Sequence, residues 1–152
     1  MKNAKRLAGV LVFAIATSAP ALVYAQQPNA AGRVKVASGT AFIVRNGAQV
    51  AAKTGDAVFE SDVLRTGSDG RLGVTLKDDT RVSLGPTSEV RVDKFAYAPA
   101  EGNLALALKV VRGVAAYVSG RIAKLSPDAV HLETPAAIVG VRGTTLAIRA
   151  GA

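Results

Sequence analysis

Residues 71–84 read RLGVTLKDDTRVSL, and their alternation decides the fold class. Leu72, Val74 and Leu76 share one face, and Val82 and Leu84 resume the pattern after Asp78-Asp79-Thr80. A period of two is that of a strand with one side buried. The loop between the two runs fixes how they pair. If only Asp78 and Asp79 turned the chain, Leu76 would face Arg81 and the two apolar sets would lie on opposite faces. A three-residue loop over 78–80 instead matches Leu76 with Val82, which predicts a bulged turn or a solenoid-type corner.

The same period runs outward from this stretch in both directions. Upstream, Val34 and Val36 alternate with Arg33 and Lys35, and Thr40–Arg45, Asn46-Gly47 and Ala48–Ala52 form a hairpin signal of type I′, a turn that needs positive φ at both central residues. Residues 54–67, TGDAVFESDVLRTG, carry turn signals at Gly55-Asp56 and Thr66-Gly67. Downstream, Val90 and Val92 alternate with Arg91 and Asp93, and Pro99–Asn103 predicts a flexible loop. Leu104, Leu106, Leu108 and Val110 alternate with smaller or polar residues; helix competes here, and strict alternation favours strand. Val114–Val118 continues the pattern, Gly120–Asp128 reads as a turn or loop, and Val130, Leu132 and Thr134 resume it. Pro135 withholds a backbone donor, which suits an edge, a bend or a strand start. A last strand over Thr144–Arg149 would bury Leu146 and Ile148, each contributing about 1.5–3 kcal/mol on full burial. The expected fold is all-β: one short-stranded, solenoid-like or roll- or barrel-like domain over 33–150, preceded by a signal peptide helix.

Lys2, Lys5 and Arg6 precede an apolar run from Leu7 to Ala16, followed by Val23-Tyr24-Ala25 and then Gln26. These are the charged, apolar and small-residue parts of a secretory signal. The run would extend about 15 Å as a helix, short of a hydrocarbon core of about 30 Å. The expectation is a cleaved signal at 1–25, a flexible leader at 26–32, a periplasmic product and no stable membrane span after cleavage. The chain has no cysteine, so no disulfide forms. Removing three of the 19 basic residues leaves 16 against 11 acidic ones, a net charge of +5. The basic residues are scattered singly, which reads as a solvated face or as contact with an anionic envelope partner. Export argues against nucleic acid as a partner.

Residues 54–92 together with LKVVRGVAAYVSG (108–120) and VHLETPAAIVGVRGTTLAIR (130–149) resemble the FecR-like domain, the periplasmic module of iron-citrate-type regulators and of many stand-alone exported proteins. The most specific pieces are Gly55-Asp56 with Asp62 and Thr66-Gly67, and Thr134-Pro135 followed by Gly140-Val141-Arg142-Gly143-Thr144. The resemblance implies a β-rich domain that binds protein partners and has no catalysis. In the regulators a sigma-factor-binding region and a membrane helix come first and a further domain follows, whereas here a signal precedes the domain and the chain ends at Ala152. Sigma-factor control is therefore not carried over. Asp79 also stands where the family usually has the glycine of an aspartate-glycine-serine turn, a position at which aspartate reaches the left-handed region at some cost.

Arg142 is the leading candidate site residue. Glycines within a strand pattern suggest that a backbone or a large side chain comes close, and the guanidinium between Gly140 and Gly143 could fork into Asp56 or Asp62, contact a partner, or stay exposed. His131, the single histidine, falls on the face opposite Val130 and Leu132 and reads as an exposed strand residue. No nucleophile elbow, zinc set or P-loop is present, and the spacing of Asp56, Asp62, Asp78 and Asp79 fits turns better than a calcium loop. No catalytic residue, metal or cofactor is expected. The expected function is that of a non-enzymatic binding or scaffold module with an envelope protein or glycan as partner. A sensor acting in trans with a membrane regulator is the second reading, and a wall or surface polymer hydrolase a distant third.

Overall fold

The computed structural model describes residues 29–142 and 145–151. The proposed signal, residues 26–28 of the leader, Gly143 and Thr144 lie outside the described residues. Among those described, the strands are β1 (Gly32–Ser38), β2 (Ala41–Arg45), β3 (Ala48–Ala51), β4 (Ala57–Val58), β5 (Val63–Thr66), β6 (Arg71–Leu76), β7 (Arg81–Leu84), β8 (Glu89–Ala98), β9 (Asn103–Val118), β10 (Val130–Glu133), β11 (Ile138–Gly140) and β12 (Thr145–Ala150), with one short helix, α1 (Arg121–Leu125). The sheet follows the order β3-β2-β5-β8-β9-β7-β6-β1-β4 and curls into a half-barrel, so the roll describes the fold and the solenoid does not.

Strand β9, 16 residues long, is the spine. Its first part pairs with β8 and, in parallel, with β10; its second part pairs with β7 and, antiparallel, with β12. The strand bends at Gly113, where φ is +83° and a Cβ would overlap the Ser88 hydroxyl and the Thr87 carbonyl. Only glycine fits there. The bend divides the sheet into a β8 half (β3, β2, β5, β8, residues 103–112, β10, β11) and a β6 half (β4, β1, β6, β7, residues 113–118, β12). Between them lies a core of alternate residues, including Leu64, Val90, Val92, Leu106 and Leu108 from one half and Val34, Leu72, Val74, Val82 and Tyr117 from the other. The alternation that looked like strand in 104–110 is strand, and the Asn46-Gly47 hairpin forms with both residues at positive φ.

Several expectations are corrected. Strands β6 and β7 pair Leu72 with Leu84 and Val74 with Val82, and the Leu76 amide donates to Thr80 O at 2.8 Å. The loop is therefore 77–79, and Val82 lies opposite Val74, not Leu76. A slip of two residues keeps the same face buried, which is why the apolar pattern alone does not settle it. The turn is the expected bulged kind, with Asp79 at φ +69°. Strand β1 has its own bulge between Val34 and Val36, so Val34 is buried while Lys35 and Val36 both face out. Strand β1 starts next to the expected position near Arg33: Ala31 is buried and Gly32 pairs with Leu76.

Residues 99–101 form a 3-10 turn closed by Gly102, so the segment expected to be loop is a tight reversal from β8 into β9. Residues 120–128 contain α1 where a loop was expected. The Arg121 amide donates to Asp78 O at 2.6 Å and the Ile122 amide to Asp78 Oδ2 at 3.3 Å, so the β6–β7 loop caps the helix from across the fold. In β12, Leu146 and Ile148 are half-buried and not fully buried, because the strand lies at the side of the sheet.

Candidate functional site

The motif residues of 55–67 build corners. Gly55, at φ +96°, donates its amide to Val34 O at 2.8 Å, and the Asp56 carboxylate accepts the Lys53 amide at 2.8 Å, which fixes the turn beside β1. Asp62 is 1% exposed and holds the next corner. Its Oδ1 accepts Arg45 Nε at 2.8 Å, and its Oδ2 accepts Arg45 Nη2 at 2.7 Å and the Phe59 amide at 2.8 Å. This is a two-pronged guanidinium–carboxylate pair, with the guanidinium 4.5 Å above the Phe59 ring and a further bond from Nη2 to Ala57 O at 3.1 Å. The Asp62 hydrogen bond raises the Arg45 guanidinium above its ordinary pKa.

Arg142 therefore does not hold Asp62; Arg45 does. The register of β2 on β5, Val44 opposite Val63, continues to put Arg45 opposite Asp62. The Asn46-Gly47 turn announces the end of β2, so this partner was within reach of a sequence argument that paired β2 with β5.

Thr66, 3% exposed, donates its hydroxyl to Gly85 O at 2.6 Å and accepts the Ser88 amide at 3.0 Å. Ser88 Oγ in turn accepts the Val114 amide at 2.9 Å, which ties the bend of β9 to the end of β5. Gly67 donates to Thr40 O at 2.8 Å and accepts the Thr87 amide at 2.9 Å. Ser88 is a structural residue that the sequence pattern did not mark, and Asp78, read as a turn residue, also reaches across to α1.

The carboxy-terminal motif stands apart from these corners. Thr134 Oγ1 accepts the amides of Ala136 and Ala137 at 3.3 and 3.1 Å, turning β10 into β11 with Pro135 exposed at the bend. Among the described residues Gly140 has open space where a Cβ would go, so none of them makes the expected close approach at that glycine. Arg142 is exposed, and with Pro127, Asp128 and His131 it lines an open depression of about 470 Å³. His131 is exposed on β10, as its alternation implied. Among the described residues the last strand is held by its ladder to β9, from Thr145 opposite Val118 to Ala150 opposite Gly113.

Among the described residues β12 has one neighbour, β9, and its other side is free. It is six residues long and lacks proline, aspartate and glutamate; Arg149 is its one charge. Natural sheets usually guard such an edge with charges, proline or a bulge. The end strands β11, β3 and β4 are shorter, with three, four and two residues, and the outer part of β8, which pairs with β9 alone, is guarded by Asp93, Lys94 and a bond from the Phe95 amide to Glu60.

A family model described as FecR protein matches residues 62–152. Comparison with curated proteins and with solved structures found no match. The match spans the Asp62 corner, the β6–β7 pair, the whole of β9 and the free edge at β12. Domains of this family are envelope-associated and signalling-related. No helix among the described residues is long and apolar enough to cross a membrane.

Proposed function

The chain belongs to the FecR family, and we propose that it is an exported, non-enzymatic binding module of the cell envelope that takes up a strand of a partner protein along the free side of β12. The observation that carries this reading is the unguarded edge of β12: a row of backbone donors and acceptors with half-buried Leu146 and Ile148 beside it. The charged and apolar pattern of residues 2–25 supports periplasmic delivery. The buried carboxylates support the absence of catalysis, because Asp62 is taken up by Arg45 and the Phe59 amide, and Asp78 by Thr80 and α1. Family membership favours use of the contact in signalling, with the module acting in trans on a membrane regulator.

Proline tests the edge. Successive amides of a strand point to opposite sides, so of Ala147→Pro and Ile148→Pro one breaks the ladder to β9 and the other removes a donor from the free side. The second variant should fold with near-native stability and lose photo-crosslinks formed in intact cells from a probe at position 145. Equal crosslinking by both prolines, or none from the unaltered chain, would dispose of strand addition.

A further inference from the structure

The ion pairs of the described residues are unevenly placed. Arg45–Asp62, Arg65–Glu89, Arg112–Glu89, Arg91–Asp93 and Lys109–Glu133 all lie in the β8 half or its loops, and Arg121–Asp79 closes the α1 end. The strands of the β6 half carry Arg33, Lys35, Arg71, Arg81 and Arg149, and no aspartate or glutamate among the described residues. None of those five is in an ion pair among the described residues; Arg33 reaches Gly55 O at 3.0 Å. The fold thus gathers into one surface the basic residues that are scattered in sequence.

The register places them. Arg33, Thr75, Arg81, Val118 and Thr145 follow one another across the strands, and Val36, Gly73, Ser83, Ala116 and Ala147 form the adjacent row. Arg71 and Arg149 stand in the row beyond, beside Ser38 and Val114. All face away from the core, because the residues between them, such as Leu72, Val74, Val82 and Tyr117, are the buried ones. The middle row leaves a depression of about 440 Å³ with Val36 and Val114, 55% and 40% exposed, on its sides and Arg71 at its end. At about 3.3 Å per residue the two arginine rows are about 13 Å apart, and the strands they cross span nearly 20 Å at about 4.8 Å each. A second, separate hollow is lined by Arg33, Lys35 and Lys77, with Asp79, paired with Arg121, among its lining residues.

We propose that this face holds a linear anionic polysaccharide, its chain lying across β6, β7 and β9 in the depression and its acidic groups on Arg33, Arg71, Arg81 and Arg149. Opposite charge selects an anion, and a guanidinium is the side chain best matched to carboxylate or phosphate. The recessed floor suits a chain better than a flat bilayer. The floor strands are paired on both sides, so an acidic peptide finds no ladder there. Among the described residues this face has no aromatic side chain, and single-stranded nucleic acid relies on such platforms for its bases. The inference rests on the binding-module reading but not on the β12 edge.

The test is anisotropy titration of the full purified chain with fluorescent oligogalacturonate, beside neutral oligogalactan, polyglutamate and phosphatidylglycerol vesicles. Oligogalacturonate should bind and the other three should not. Arg71→Gln with Arg81→Gln should weaken binding about tenfold or more and lower the slope of log K against log salt by about 0.7 per arginine, as for a single-stranded polyanion. Ser83→Trp, which fills the exposed floor without altering charge, should weaken it comparably, and Arg91→Gln on the other half should leave it within about twofold. Circular dichroism checks that each variant is folded. An unchanged affinity in Ser83→Trp, equal binding of polyglutamate, preference for the vesicles, or no oligogalacturonate binding each overturns the proposal. No edge crosslinks from the unaltered chain, with polysaccharide binding intact, would remove only strand addition, and the converse only this inference.

Discussion

Replacing Arg45 with Met should destabilise the domain by about 2 kcal/mol. Removing one partner of a fully buried ion pair costs about 3–5 kcal/mol, because the remaining charge is left without compensation. Here the carboxylate is 1% exposed but the guanidinium side chain is 43% exposed, so water can partly replace it and the upper range does not apply. Hydrogen bonds to a charged group contribute about 1.5–3 kcal/mol, and Asp62 keeps one such bond, from the Phe59 amide, when Arg45 is gone. Methionine retains most of the apolar stem over Phe59, so the loss reports the charged prongs and not the packing. Asp62→Ala should cost more, about 3 kcal/mol, since it strips acceptors from both Arg45 and the Phe59 amide. The double variant should cost less than the sum of the two, by about 1–2 kcal/mol. Urea unfolding followed by circular dichroism measures all three, and a loss of 2 kcal/mol corresponds to a melting temperature lower by about 8 °C for a domain of this size. Arg142→Leu is the counter-experiment and should stay within about 0.5 kcal/mol. If Arg142→Leu cost more than Arg45→Met, or if the two clasp variants were additive, the assignment of the anchor to Arg45 would be wrong.

Gly113→Ala should cost about 3 kcal/mol or more in the same assay, and Ser88→Gly should not rescue it, because the Thr87 carbonyl also occupies the space a Cβ would need. Asp79→Gly should raise stability by about 0.5 kcal/mol: relief of the left-handed backbone at φ +69° outweighs the loss of an exposed pair with Arg121, and a destabilised variant would contradict that. Burial pushes the Tyr117 phenol above its ordinary pKa, so the folded form favours the neutral ring; its contribution is complete below about pH 10 and is lost as pH rises through the folded value. Tyr117→Phe should therefore flatten the fall in urea stability above about pH 10, and an unchanged slope would assign that fall to other groups.

How much of this was legible follows from how each feature is made. The all-β class, the Asn46-Gly47 hairpin, the strand over 104–110 and the burial of Leu72, Val74, Val82 and Leu84 rest on period two and turn chemistry, which are local. The β6–β7 register was missed by two residues because Val74 and Leu76 serve the same face equally well. What separates them is Asp78, folded inward at 0% exposure onto Thr80, a preference no hydrophobic pattern encodes. Helix α1 was read as loop because its cap comes from Asp78, which is 44 residues from Ile122.

The candidate sites divide the same way. Gly55, Asp56, Asp62, Thr66 and Gly67 were singled out as one block, and they do build adjoining corners. Of the three roles open to Arg142, the fork into Asp62 is filled by Arg45 instead: Arg142 stood out by its glycine neighbours, while Arg45 is picked out only by the pairing of β2 with β5. The basic face was illegible for a related reason: Arg33, Arg71, Arg81 and Arg149 are isolated in sequence, and only the ladder from β1 through β6, β7 and β9 to β12 makes them neighbours. The carboxylates lie in the other half and the loops, and the arginines of this face are in no ion pair among the described residues. A folded domain that tolerates that arrangement should bind an anion on this face and be stabilised by it, and a rise in melting temperature with oligogalacturonate at fixed ionic strength, absent in Arg71→Gln with Arg81→Gln, is the form that stabilisation should take.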